Sequence, residues 1–271
     1  MRRLVVVLVM MGLGCSTARP PKMPTAEAFR PGPQAAPLPP EQWARQYRRA
    51  IDCELAAFEL IPDLGRNAAW TYAKACAERD DFTSLESLVA HWLPELKTRS
   101  EVPDLLAHVM AARGAHLAED LELLHRRQVP LFDLHTALKQ TDAFKGRYVV
   151  FVAKYSQSRG SKEVVLMEQQ LFNESMSVMA QTRFGTQGYS AWGPFSEESG
   201  RVDTRVLEYF DDTGVEVVAR LPQPDPFLTS DKNLVFLVRF DGERVDHDQG
   251  TSDGPEPMHT ALVTLISYHG L

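Results

Sequence analysis

The chain has 271 residues, with 29 basic and 36 acidic side chains, a net charge of −7 and 44% apolar residues. That length buries ample apolar surface without help from a metal or cofactor, and no cofactor is expected. The acidic balance gives no electrostatic footprint for nucleic acid, whose phosphates need clustered Lys and Arg, so no nucleic-acid partner is expected.

Residues 1–14 read as an export signal. Met1-Arg2-Arg3 is a basic start, and residues 4–13 form an almost unbroken apolar run. A helix of that length covers only about 15 Å, half of a bilayer core of about 30 Å, so the run does not span a membrane. It ends in Gly12-Leu13-Gly14-Cys15-Ser16. Small residues directly before a cysteine resemble the lipobox of bacterial lipoproteins. The place three residues before the cysteine, usually Leu in that family, is Gly12 here, and Leu13 follows one step later. The resemblance implies cleavage before Cys15 and acylation of Cys15, which makes the lipid bilayer the first partner. Two or three acyl chains, at about 0.8 kcal/mol per buried methylene, give permanent attachment where one chain is marginal. By the same resemblance, Ser16 fits sorting to the outer membrane, on its periplasmic face or at the cell surface.

Residues 15–40 hold the cysteine and then a tether. Eight of the chain's eighteen prolines fall in this stretch, with one large aromatic, Phe29. Proline removes hydrogen-bond donors and favours an extended polyproline II chain, hence a semi-rigid spacer.

From residue 41 the period changes to three and four, and residues 41–130 read as a helical module. Trp43, Tyr47, Ala50, Ile51, Leu55 and Phe58 mark a first amphipathic helix, and Pro62-Asp63-Leu64-Gly65 breaks it. Ala69, Trp70, Ala73 and Ala77 mark a second. Further helices are expected over about 84–93, 102–112 and 115–128, separated by Pro94 and Gly114. Cys53 and Cys76 lie at similar distances on either side of the Leu64-Gly65 turn, which puts them level in an antiparallel hairpin. Ala50 and Ala57 flank the one, and Ala69 and Ala73 precede the other, so small side chains let the helices approach. A Cys53–Cys76 disulfide is therefore expected, and export supplies the oxidising compartment.

Residues 131–271 read as an antiparallel β domain. Period-two, β-rich stretches run over 147–155, 163–172, 175–184, 202–210, 215–221, 234–240 and 261–268, with turns expected at Gly160, at Asp211-Asp212-Thr213-Gly214 and at Asp241-Gly242. So many short strands suggest a barrel or sandwich, and the fold class is α+β. Leu134-His135-Thr136-Ala137-Leu138, followed by Phe144-Lys145-Gly146-Arg147-Tyr148, resembles the entry to envelope OB-like domains, where a short helix leads into the first long strand. That family's glycine in the middle of the first strand is Ala153 here. The resemblance implies a small barrel that binds partners through one face and its loops, although fold alone does not define function.

No nucleophile elbow, Ser-x-x-Lys, His-Glu-x-x-His, Cys-x-x-Cys or phosphate-binding glycine loop occurs in the sequence. No catalytic residue is assigned, and the protein is not read as an enzyme. Asp246, Asp248 and Asp253 alternate in a polar stretch that offers hard oxygens to Ca²⁺, but the spacing departs from an EF-hand loop and an exposed hairpin loop explains them as well. Tyr189, Trp192 and Phe195 sit among glycines in a long connection, a pattern suited to a partner contact because rigid rings supply area at low entropy cost. The reading is a lipid-anchored cell-envelope protein acting as a non-catalytic binding or scaffold module with an envelope protein partner. Two alternatives accompany it. One is an envelope hydrolase whose site is assembled from distant His (His259 or His269) and carboxylates; the other is a carrier of lipid or another small ligand.

Overall fold

The amphipathic run that opens the helical region is two helices. The computed structural model describes residues 38–180, 188–190, 193–195, 201–228, 232–246 and 258–271. Within it α1 (Pro40–Ala44) stops at a bend, and α2 (Ala50–Glu59) starts afresh. The bend is held from outside the segment. The Arg79 guanidinium donates to the carbonyls of Ala44, Tyr47 and Arg48, and Asp81 accepts from the Ala50 amide. Those contacts satisfy helix-end groups that a continuous helix would have paired internally.

A short turn of helix, α3 (Ile61–Leu64), leads to Gly65, whose φ of +79° suits a residue without Cβ, and α4 (Arg66–Ala77) returns antiparallel to α2. Cys53 and Cys76 are bonded across this hairpin, with their Cα atoms 5.7 Å apart. Ala50, Ala57, Ala69 and Ala73 are all fully buried, which allows that approach. The following helix, α5 (Leu85–Thr98), is interrupted near the expected break: it kinks at Trp92 (φ −119°, ψ 19°), in the turn before Pro94, and then resumes instead of ending. Next come α6 (Val102–Ala112) and α7 (Leu117–Arg126), then β1 (Phe132–Asp133), α8 (Leu134–Lys139) and α9 (Thr141–Phe144). The Asp133 side chain caps α8 by accepting from the Thr136 amide.

The strands are β2 (Tyr148–Ser158), β3 (Glu163–Ala180), β4 (Gly188–Ser190), β5 (Gly193–Phe195), β6 (Arg201–Arg220), β7 (Leu234–Asp246) and β8 (Met258–Gly270). The fold is α+β, with a six-stranded sheet in the order β1-β2-β3-β6-β8-β7. β7 also pairs with β2, so the ladder returns to the strand on which β3 starts. All these pairings are antiparallel except β1–β2 and β6–β8.

Two expected turns are bulges within long strands. β6 runs through Asp211-Asp212-Thr213-Gly214. On β3 the register steps from Met167 to Gln169, while on β6 it steps from Glu216 to Asp212. Gly214, at φ +82°, absorbs the surplus backbone, and the Thr213 hydroxyl donates to Glu168 at 2.7 Å. Asp241-Gly242 is likewise an irregularity inside β7. Two-residue alternation cannot separate a turn from a bulge, because both use Asp, Thr and Gly.

Pro39–Leu271 is one compact unit, and among its described residues two large cores stand beside a small cluster of Ala44, Cys53 and Cys76. Val149, Phe151, Leu166, Val217, Phe236, Val238, Phe240 and Val263 form one core on one face of the sheet. The opposite face of β2 and β7 presents Val150, Val152, Val235 and Leu237 to the helices, where Trp70, Trp92, Leu106 and Met110 complete a second core. The alternation of faces along β2 and β7 is thus the joint between helices and sheet.

Candidate functional site

Two places gather side chains of functional interest. The first is a notch where α6 meets the end of β8. Helical spacing puts Asp104 and His108 one turn apart on α6, and strand spacing puts Ser267 and His269 on the same side of β8. The Ser267 hydroxyl donates to Asp104 Oδ1 at 2.5 Å, and His269 Nε2 lies 3.0 Å from the same oxygen. The His108 and His269 rings meet edge to face, with centroids 5.3 Å apart. His108 Nε2 is buried with no hydrogen-bond partner among the described residues. Asp104, His108 and His269 border a cavity of about 190 Å³ that also touches Lys74, Glu78 and Glu101. The hydrogen bond from His269 holds the Asp104 carboxyl below its ordinary value, against the opposing effect of burial, and the Ser267 bond adds to it.

Serine, histidine and aspartate meet here, but in the wrong order for nucleophilic catalysis. A serine nucleophile gives its proton to an imidazole, which a carboxylate orients from the other side. Here both Ser267 and His269 bond to one carboxylate oxygen, and the Ser267 proton is directed at Asp104. The arrangement ties the last strand to α6 across more than 160 residues of chain. Among the described residues, no group of three or more His, Cys, Asp or Glu could hold a metal ion.

The second place is the far part of the β3–β6 pair. β2 accompanies β3 only as far as Gln169, and β8 accompanies β6 only from Glu216 onward. Beyond them, Gln170↔Asp211 through Ala180↔Arg201 continue as eleven further pairs. At about 3.4 Å per residue, this ribbon projects about 35 Å beyond the strands that flank its base. At that base Phe172 and Tyr209 stack at 5.9 Å with their rings 25° apart, and both are exposed (39% and 45%). The small hairpin β4–β5 falls in the connection between β3 and β6. Its register pairs Tyr189 with Pro194 and Gly188 with Phe195; Trp192 lies outside the described residues.

The remaining expected site residues divide as follows. Cys53 and Cys76 are joined. Asp246 ends β7, opposite Met258, while Asp248, Asp253 and Cys15 lie outside the described residues. Sequence reading did not bring Asp104 to His269, nor Glu54 to Ser87, His91 and Trp92. The only available signal was the presence of each residue at the edge of an apolar stripe.

No protein-family model matches the chain, and no curated protein matches it. Among the described residues, no helix is long and apolar enough to cross a membrane.

Proposed function

We propose that the protein is an exported cell-envelope lipoprotein, held to a bilayer by acylated Cys15, whose folded body is a non-catalytic binding or scaffold module. The observation that carries the binding role is the β3–β6 ribbon. Eleven strand pairs extend past the flanking strands and end in the connection that bears Tyr189, Trp192 and Phe195. A two-stranded ribbon is marginal by itself in water, so a long one is best understood as a contact element. The Cys53–Cys76 bridge supports the exported location, since such bonds persist in oxidising compartments. The finer fold reading is an OB-like barrel. Its support is the cyclic pairing β2-β3-β6-β8-β7-β2 with the single parallel pair β6–β8, preceded by the α8 entry helix.

The alternatives fare less well. Phe151, Phe236 and Phe240 fill the space a carrier needs for its ligand. The Ser267–Asp104–His269 contacts favour a hydrolase by composition, yet they direct the serine proton away from any imidazole. The test is co-purification in mild detergent. Trp192→Ala weakens recovery of a defined envelope partner at least tenfold and leaves the melting temperature unchanged. Equal recovery by wild type and variant contradicts the reading.

A further inference from the structure

The two edges of the ribbon differ in how they are guarded. On β6, residues 201–211 carry Arg201, Asp203, Arg205, Glu208 and Asp211. On β3, residues 170–180 (QLFNESMSVMA) carry one charge, Glu174, and neither lysine nor proline. Among the described residues, β6 is the only strand paired with β3 over this stretch, so its other edge offers an unused row of backbone donors and acceptors. Soluble proteins block such edges with lysine, proline or bulges. The register shift of β3 lies at Met167/Gln169, before the stretch begins, and from Gln170 to Ala180 the pairing is regular. The edge is long, regular and unguarded.

The residue order of that edge is self-complementary about Ser175. An antiparallel pair of two copies centred there sets Leu171 opposite Met179 of the second copy, Phe172 opposite Val178, Asn173 opposite Ser177, Glu174 opposite Met176, and Ser175 opposite itself. Apolar residues meet at Leu171–Met179 and Phe172–Val178, polar ones meet at Asn173–Ser177 and on the axis, Glu174–Met176 is the one mixed pair between residues 171 and 179, and no two like charges are directly opposed. Centring the pair on Glu174 instead opposes two carboxylates. Centring it on Met176 makes two mixed pairs, Asn173 with Met179 and Glu174 with Val178. A two-fold axis requires this kind of self-complementarity, because each copy presents the same patch to the other.

We propose that β3 is the interface of a symmetric dimer, in which residues 170–180 of two copies pair antiparallel about Ser175 and join the ribbons into a four-stranded sheet, β6-β3-β3-β6. Nothing in this inference depends on the lipid anchor or on an envelope partner. Directly opposed residues of an antiparallel pair have Cα atoms about 4.5–5.5 Å apart, within disulfide range. Residues two places off the axis are about 13 Å from their own copies.

The experiment uses the full-length protein in mild detergent. Sedimentation at tens of micromolar gives a dimer for wild type, and Ser175→Lys, which opposes two charges on the axis, weakens it at least tenfold. On mild oxidation Ser175→Cys gives a covalent dimer linked through residue 175, while Ser177→Cys and wild type give none. A monomeric wild type, or equal cross-linking through residues 175 and 177, overturns the proposal. Circular dichroism of Ser175→Lys matching wild type separates loss of pairing from loss of fold. Trp192→Ala leaves the dimer intact, so failure of the partner reading and failure of the dimer are distinguishable.

Discussion

The Trp92 indole N–H donates to Glu54 at 2.7 Å, joining α5 to α2 across 38 residues of chain. Glu54 is fully buried, and it also accepts from the Ser87 hydroxyl and lies 2.9 Å from His91 Nδ1. Phe58 stacks on the His91 ring at 4.4 Å, and Arg66 lies over Trp92 while binding Glu95. One buried carboxyl group thus satisfies polar atoms from three side chains. Removing it leaves the buried Trp92 N–H without its partner and a cavity behind it, while half-buried Ser87 and His91 lose the carboxyl and keep only their 3.4 Å contact with each other; each buried unpaired group costs about 1–3 kcal/mol. Glu54→Ala therefore destabilises the protein by about 3–5 kcal/mol, several times the effect of Ser87→Ala, as measured by denaturant unfolding followed by tryptophan fluorescence. Equal effects from the two substitutions would show that Ser87 alone carries the network.

The Cys53–Cys76 bond closes a loop with a sequence separation of 23. The loop-entropy account gives roughly 3 kcal/mol for such a loop. Replacing both cysteines with alanine lowers the melting temperature by about 6–12 °C for a body of this size. Calorimetry of the double variant, with wild type in reducing buffer as its companion, checks this. The two are expected to agree.

Asp120 gives stability a pH dependence of unusual sign. Burial pushes its carboxyl up to about 6, against the opposing pull of Arg113, whose Nε lies 3.1 Å away. The folded value is above the ordinary 3.8, so the folded state binds this proton more tightly than the unfolded state does. The contribution is complete below the ordinary value and is lost as pH rises through about 6. Across that window wild type loses up to about 1.4 kcal/mol per pH unit relative to Asp120→Asn, which has no such titration. Urea unfolding of both proteins between pH 4 and pH 7 reads the difference directly; parallel curves contradict it.

The parts of the fold that were legible in the sequence are those carried by local periodicity. The α2–α4 hairpin and its level cysteines follow from spacing within about 25 residues. The failures share one cause, which is distant polar contact. Arg79 splits the first helix from 30 residues away, and the Thr213–Glu168 bond turns an expected hairpin turn into a bulge. The length of the ribbon was hidden for the same reason, since joining two short stretches into β3 and two into β6 depends on their register with one another. The notch at Asp104 and His269 joins residues 165 apart, for which no local pattern exists.

The intact mass of the protein extracted from washed membranes tests the central claim most directly. The account predicts a chain that begins at Cys15, heavier than residues 15–271 by two or three fatty-acyl chains and a glyceryl group, with Cys53 and Cys76 bonded. A chain that still begins at Met1, carries no added mass on Cys15 and stays in the soluble fraction contradicts it.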